Sequence, residues 1–410
     1  MELTQDDRRQ LFDKIVSLVE AKYYDRTFGG RNWSELARAH RDAIIGAKET
    51  QGFEDLVMKL LGVLGGGHLG LLSPHTRITP RSSINASLRR MKIDSTGECW
   101  VFQDVLPGGV AERAAIHSGD VLLAIDGKEF RTEAAPAFPM NTRTAITIDR
   151  AGTQYELHLD LTTQKPKYRD NPYSEPNSAV ASIREGIGIL KVSLFPGKLG
   201  IDFANHINRL FKQDLRNVDR LLIDLRGNPG GGIGGLRIMS YLAPSSIPIG
   251  FSIDRKTADR GYDKERLPRL NHIPSSKWEV PLLFLQFFNK NSVVLETEGL
   301  GAQHFHGRVG VLINEHSTSA AEMLTQFAKE NALATIIGMK TPGRLTSRTA
   351  IKLDHGYRLV LPVAAYQSWK GVRIEGKGIE PDVQVDWSFE AATAGKDNQF
   401  EHALTVVKSF

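Results

Sequence analysis

RVGVLINEHSTSAAEMLTQFAKE, residues 308 to 330, changes from strand to helix across a run of small hydroxyl residues. Val309 to Ile313 is a short apolar run of buried-strand type, and from Ala320 onward the apolar residues recur at helical spacing. Ser317, Thr318 and Ser319 form the junction. A serine held at a strand-to-helix turn can stand above the sheet edge, where the first helical N–H groups and the positive end of the helix dipole favour developing negative charge. That placement suits a nucleophile. The competing reading is a plain helix cap at Ser317 or Ser319, with Glu322 completing a capping box three residues after Ser319.

Outward from this stretch, GIGILKVSLF, an amphipathic run from Phe203 to Leu210, and a buried strand from Arg220 to Leu225 follow one another. Strand, helix and strand in that order predict an α/β core with a largely parallel sheet, whose site gathers at the carboxyl ends of the strands. One such end carries Asp224-Leu225-Arg226-Gly227-Asn228-Pro229-Gly230-Gly231-Gly232. Clustered glycines let the backbone approach a ligand and aim its amides into a pocket. No GK[ST] follows, so the phosphate-loop reading fails, and a dinucleotide fingerprint through Gly230, Gly232 and Gly235 rests only on abundant glycine.

Four ordered segments resemble the core of the S41 peptidases, the family of C-terminal processing proteases and tricorn core proteases: LLIDLRGNPGGG, NEHSTSAAE, ATIIGMKTPGR and IEGKGIEPDVQV. The resemblance implies an α/β, ClpP/crotonase-like core with an N-terminal helical segment and an inserted, mostly-β PDZ-like domain. It implies Ser319 as nucleophile, with oxyanion-hole amides from Gly230, with Gly231 close behind, and from Ala320. In bacterial members a lysine of GExTxGKG is the base, but here Arg344 stands in its place. A guanidinium is never deprotonated in a protein, so a Ser-Lys dyad is excluded at that position. Lys340 lies too early in the motif. The tricorn-type pattern supplies another base: His68, in the turn GVLGGGHLG, with Glu375 before a Gly-x-Gly turn orienting it. His316 and His355 are rivals expected to face solvent.

The chain of 410 residues predicts several domains. Residues 1–75 read as helical, with Leu11, Ile15, Leu18 and Val19 on one face, then Trp33, Leu36 and Ala37, then Phe53, Leu56, Leu60 and Leu61. Residues 76–165 turn to short strands, and VFQDVLPGGVAERAAIHSGDVLLAIDGKEF resembles a PDZ domain. Such a module adds an extended peptide to a sheet edge and holds a terminal carboxylate on backbone amides, here expected near Ile84 to Leu88. A hinge or lid that binds nothing is the other reading of it. Residues 166–178 read as a linker and 179–410 as the catalytic core, although Ser252 to Phe305 carries no feature that assigns it.

Charged residues make up 24% and net charge is +5, but the basic residues are scattered, so no nucleic-acid partner is implied. The single cysteine, Cys99, offers no disulfide and no CxxC site, and no metal or other cofactor is expected. The N-terminus shows no signal-peptide pattern and no run of about 18 apolar residues occurs, so no membrane span is expected. The chain therefore reads as cytoplasmic, although an exported chain stripped of its signal would read alike. The implied partner is a peptide or protein substrate, with oligomeric state open. Two other classes compete with a serine peptidase: a catalytically silent binding protein on the same scaffold, and a crotonase-type acyl-CoA enzyme, which also pairs amides around an oxyanion.

Overall fold

The computed structural model describes residues 2–65, 69–73, 80–93, 97–130, 133–138, 142–162, 178–197, 199–287 and 292–410. His68 and nearly all of the expected linker, residues 166–177, lie outside the described residues.

Three helices open the chain, Gln5–Lys22, Trp33–Ile45 and Thr50–Gly62. The Thr4 hydroxyl accepts from the Asp7 N–H while Asp7 returns a carboxylate to the Thr4 N–H, and Asn32 accepts from the Glu35 N–H, so first-turn donors of two helices are satisfied. Their apolar faces bury Leu11, Phe12, Ile15, Val19, Trp33, Phe53, Val57 and Leu60, with Leu18, Leu36 and Leu56 only partly covered. The same cluster includes Leu353, Tyr357, Leu359 and Leu361 from the far end of the chain. Full burial of a leucine contributes about 2 kcal/mol, so these shared residues fasten the helices to the core. The segment departs from the all-helical expectation at its end. Gly70–Leu72 is a strand that pairs antiparallel with the Arg358–Ser368 strand, Gly70 opposite Val360.

The central sheet runs in the order Val383–Gln384, Thr335–Gly338, Arg308–Ile313, Arg220–Asp224, Ile187–Val192 and Ala179–Arg184. All neighbouring strands are parallel except the Ala179–Arg184 edge. Leu221, Leu222 and Ile223 are fully buried, as the unbroken apolar run requires of a sheet covered on both faces. Asp224 ends its strand in a buried cluster: Arg226 donates to it at 2.9 and 3.1 Å, Lys191 lies 3.0 Å away, and Arg226 also reaches Asp397 at 2.7 Å. Burial alone would raise the Asp224 carboxyl, but the Arg226 and Lys191 cations hold it well below the ordinary carboxylate range.

A second sheet places Gly70–Leu72, Arg358–Ser368, Pro248–Asp254, Val293–Glu296 and Arg269–Leu270 side by side, with Thr346–Lys352 also pairing Arg358–Ser368. The third is antiparallel, in the order Ala86–Ile93, Gly97–Val105, Val121–Ile125, Arg143–Arg150 and Thr153–Asp160. Here the expected short helix appears at Val110–Arg113 and the expected tight hairpin at Asp126-Gly127, both with positive φ. Gly119 also has positive φ, and a side chain there would strike the backbone of Ala392 and Thr393, so this turn is seated against the C-terminal helix Phe389–Thr393. No described helix is long and apolar enough to cross a membrane.

Candidate active site

Ser319 begins the helix Ala320–Glu330 with φ 58° and ψ −118°, a backbone conformation that costs a non-glycine residue about 1–3 kcal/mol. The surroundings fix it there. The Ser319 N–H donates to Glu322 Oε2 at 2.9 Å, the Ser319 carbonyl accepts from the Met323 N–H, and the Thr318 N–H donates to the Asn228 carbonyl at 2.8 Å. Ser317, by contrast, is fully buried and its hydroxyl is spent inside the protein, donating to the Leu225 carbonyl at 2.9 Å and accepting from the Asn314 N–H at 3.0 Å. Of the two candidate serines, only Ser319 lines a cavity.

That cavity, about 420 Å³, is bounded by Gly231, Ala320 and Ser319 on one side and by Leu236, Met239, Leu270, Leu295, Met323 and Tyr366 behind. The segment that the sequence left unassigned, Ser252 to Phe305, supplies Ser252, Leu270, Val293 and Leu295 to its wall.

The glycine loop packs directly on the nucleophile turn. A Cβ on Gly230 would lie 2.5 Å from the Ser319 Cβ and 2.7 Å from the Ala320 nitrogen, and one on Gly231 would strike the Phe195 carbonyl oxygen. The two amides differ in what is left for a ligand. The Gly230 N–H is buried and donates to Asn228 Oδ1 at 2.7 Å. Gly231 is exposed at the cavity wall, with neighbours tied down by the Phe195 N–H to the Gly230 carbonyl and the Gly232 N–H to the Phe195 carbonyl.

Three polar residues hold this geometry, two of them, Asn228 and Asn314, given no role by the sequence and the third, Glu322, read there only as a cap. Asn228, fully buried, donates to the Val192 carbonyl at 2.9 Å while accepting from Gly230. Asn314 accepts from the Gly227 N–H at 3.1 Å and donates to the Asp104 carboxylate of the third sheet at 3.0 Å. Glu322 does more than cap. Its fully buried carboxylate receives the Ser319 N–H, the Arg344 N–H, the Gly343 N–H and the Thr341 hydroxyl at 2.7–2.9 Å. Burial raises its pKa, and those four donors work against the rise. Glutamine at 322 would turn one acceptor oxygen into an NH2 facing N–H donors. Glu322→Gln is expected to lower the unfolding free energy by about 2–4 kcal/mol, measured by urea denaturation. A loss under about 0.5 kcal/mol would show the four bonds to be dispensable.

Glu375 is half-buried and accepts from the Leu345 N–H at 2.6 Å, one residue from the exposed Arg344 and beside a cavity-lining residue. Desolvation raises its carboxyl pKa, the nearby Glu322 adds to the rise, and the Leu345 hydrogen bond opposes it. The rival histidines are not solvent-facing as expected. His316 is half-buried with Nε2 covered and unbonded among the described residues, and His355 is pinned to Asp7 at 3.3 Å on the first helix. Lys340 pairs with Glu380 at 2.6 Å, with both side chains more than half exposed. Ile84 and Leu88 are buried in the core of the third sheet, so a peptide there would meet main chain and not these side chains. Among the described residues no group of three or more His, Cys, Asp or Glu side chains could hold a metal ion.

Comparison with known proteins agrees with this geometry. Residues 186–385 match Peptidase family S41, and residues 4–62 match the Tricorn protease C1 domain. The carboxyl-terminal-processing protease of Synechocystis sp. (strain ATCC 27184 / PCC 6803 / Kazusa) is 25% identical over 420 residues, covering 98% of this chain and 87% of its own. The chloroplastic C-terminal processing peptidase of Tetradesmus obliquus is 25% identical over 418 residues, covering 92% and 77%. Among solved structures, the photosystem II D1 C-terminal processing protease superposes with a TM-score of 0.58 at 19% identity, covering 98% of this chain and 97% of its own. Mature CPAF complexed with lactacystin gives 0.55 at 15% identity, covering 98% of each. With the S41 match spanning both the glycine loop and Ser319, and relatives of the same kind aligned along nearly the whole length, the chain belongs to peptidase family S41 and is a serine-type peptidase.

Proposed function

We propose that the chain hydrolyses peptide bonds of protein C-terminal regions through an acyl-enzyme on Ser319. His68 takes the serine proton and returns it to the leaving amine, and Glu375 orients His68. The oxyanion is received by the N–H groups of Gly231 and Ala320, since the Gly230 amide already has its acceptor in Asn228. The observation that carries this reading is the shared wall: a strained serine, the exposed glycine of the loop and the first helical residue bound one apolar cavity. A silent binding protein would have no need to hold Ser319 at φ 58°. The curated relatives, named as carboxyl-terminal processing enzymes, favour peptide over acyl-CoA.

A fluorescent peptidyl phosphonate tests the proposal. The expected result is one adduct, mapped by mass spectrometry to Ser319, on a chain that also cleaves unfolded protein. Labelling elsewhere, or thioester turnover without peptide turnover, would overturn it.

The third sheet is read as a PDZ-like module that gates this site. Its Ala86–Ile93 strand is an edge, paired only with Gly97–Val105 among the described residues. Asp104 reaches Asn314, Arg89 lies 3.2 Å from Glu315, and Arg81 donates to the Gly227 carbonyl, so the module touches both loops that frame Ser319. Asp104→Ala is expected to lower kcat several-fold, by freeing Asn314 and with it the Gly227 amide, while KM moves little. Unchanged kcat in a steady-state peptide assay would remove the gating role.

A further inference from the structure

The cavity beside Ser319 is apolar at its back, yet one charged side chain stands at its wall. Among the residues bounding it, Arg348 alone carries charge. No carboxylate among the described residues pairs with this guanidinium, which is exposed at the cavity rim although nearby protein atoms lower its pKa by desolvation. Arginine stays protonated under such a shift, so a cation lines the same cavity as the nucleophile. Arg348 is solvent-exposed, so its charge costs little as it stands, and an anion entering the cavity would meet it without first displacing a carboxylate of the protein.

The strand that carries Arg348 borders the cavity. In Thr346–Lys352, alternation would send Ser347 away from the face shared by Thr346 and Arg348. The register shifts between Ser347 and Arg348: Ser347 lies opposite Ala364 and Arg348 opposite Pro362, skipping Val363. The extra residue, Val363, belongs to Arg358–Ser368, and Thr346, Ser347 and Arg348 all line the cavity. The strand pairs with Arg358–Ser368 on one side, and among the described residues no strand pairs with the other. An extended peptide is thus offered an open backbone edge running from the nucleophile toward a cation.

We infer that Arg348 is a specificity-determining residue that receives a carboxylate of the peptide substrate while an apolar substrate side chain fills the cavity beside Ser319. The inference rests on the peptidase reading of the site and names its substrate class: peptides with an apolar residue and an anionic group close together. Two sources share the chemistry, the α-carboxylate of a nearby C-terminus and an Asp or Glu side chain. A guanidinium binds either through paired N–H donors.

Three peptides of one apolar sequence separate the cases: one with a free C-terminal carboxylate, one amidated with an internal glutamate, and one amidated and neutral. Cleavage is measured on the wild-type chain, and binding on Ser319→Ala, so that recognition is read without turnover. One or both anionic peptides should be preferred by roughly 10- to 100-fold in kcat/KM and in affinity, and which of the two is preferred identifies the source. Arg348→Ala should bring the ratio of anionic to neutral peptide close to one, with Arg348→Lys keeping part of it. Equal handling of all three peptides by the wild-type chain, or an Arg348→Ala ratio unchanged from wild type, overturns the inference. Anion-selective binding lost with Arg348 but no cleavage would uphold the inference about Arg348 and sink the peptidase mechanism instead.

Discussion

Ser319→Ala is expected to fold normally and to hydrolyse peptide about 10⁶-fold more slowly than the wild-type chain, the scale seen when a serine nucleophile is removed from a working constellation. Folding should survive because the turn is held mainly through the main chain of Ser319, its side chain adding a capping-box contact with the Glu322 N–H. Ser319 is held through its N–H to Glu322 and its carbonyl to Met323, and both bonds are main-chain bonds that alanine retains. The helix after it keeps Ala321, Leu324 and Phe327 in the core. Thermal denaturation should therefore shift by no more than a few degrees. The residual rate belongs to the oxyanion amides and the apolar cavity, which still favour the tetrahedral geometry. Ser317→Ala provides the contrast, because it removes a buried hydroxyl with two partners and should cost stability more than chemistry. The measurement is kcat/KM on a fluorogenic peptide, with denaturation run alongside. A Ser319→Ala chain within about 100-fold of wild type would mean that another nucleophile carries the reaction.

The parts of this site that the sequence disclosed are those in which a residue type is itself the mechanism. A serine between a buried strand and an amphipathic helix, several glycines ending a strand, and an arginine where an amine is needed each have a local physical meaning, and the first two lie together around one cavity. The three N-terminal helices were legible for the same reason, since the spacing of Leu11, Ile15 and Val19 states a face. What stayed hidden depends on partners far along the chain. Nothing about Asn314 in isolation says that it will join Gly227 to Asp104, residues 87 and 210 positions away. Glu322 carried a local meaning as a cap, and that meaning concealed the larger one, because Thr341, Gly343 and Arg344 converge on it only after the parallel sheet has formed. Gly230 and Gly231 satisfy the same sequence pattern equally, and only the side chain of Asn228, which accepts from the Gly230 N–H, distinguishes them. The Ser252 to Phe305 segment has no motif because its contribution is shape: a few apolar residues brought to the wall of a cavity by strand pairing.

His68→Ala should reduce kcat/KM by about 10⁴-fold or more while leaving phosphonate-free folding intact, and a lysine at 344 should not restore it. Most rival amines and imidazoles are already occupied, and His316, whose Nε2 is covered and unbonded among the described residues, is the one that remains as a rival to His68. Arg344 is exposed and cannot accept a proton, and only its main-chain N–H is used, by Glu322. Lys340 is committed to Glu380 at the surface, and His355 to Asp7 on the first helix. Arg344→Ala is accordingly expected to cost less than about 10-fold. Gly70, two residues beyond His68 in sequence, pairs with Val360, and Arg373, two residues before Glu375, donates to the Tyr24 hydroxyl at 3.0 Å. Glu375 then sets the pH dependence. For activity the carboxyl must be charged, and since burial raises its pKa, an acid limb should lie above the ordinary glutamate value of about 4.3 and disappear in Glu375→Gln. For stability the sign is opposite. A carboxyl whose pKa is higher in the folded chain favours folding in its protonated form, so its contribution is complete below the unfolded pKa and fades as pH rises through the folded one. Urea titrations should therefore show Glu375→Gln gaining stability relative to wild type as pH rises from 4 to about 8. If His68→Ala keeps wild-type turnover while Arg344→Ala loses it, the proton acceptor has been assigned to the wrong end of the chain.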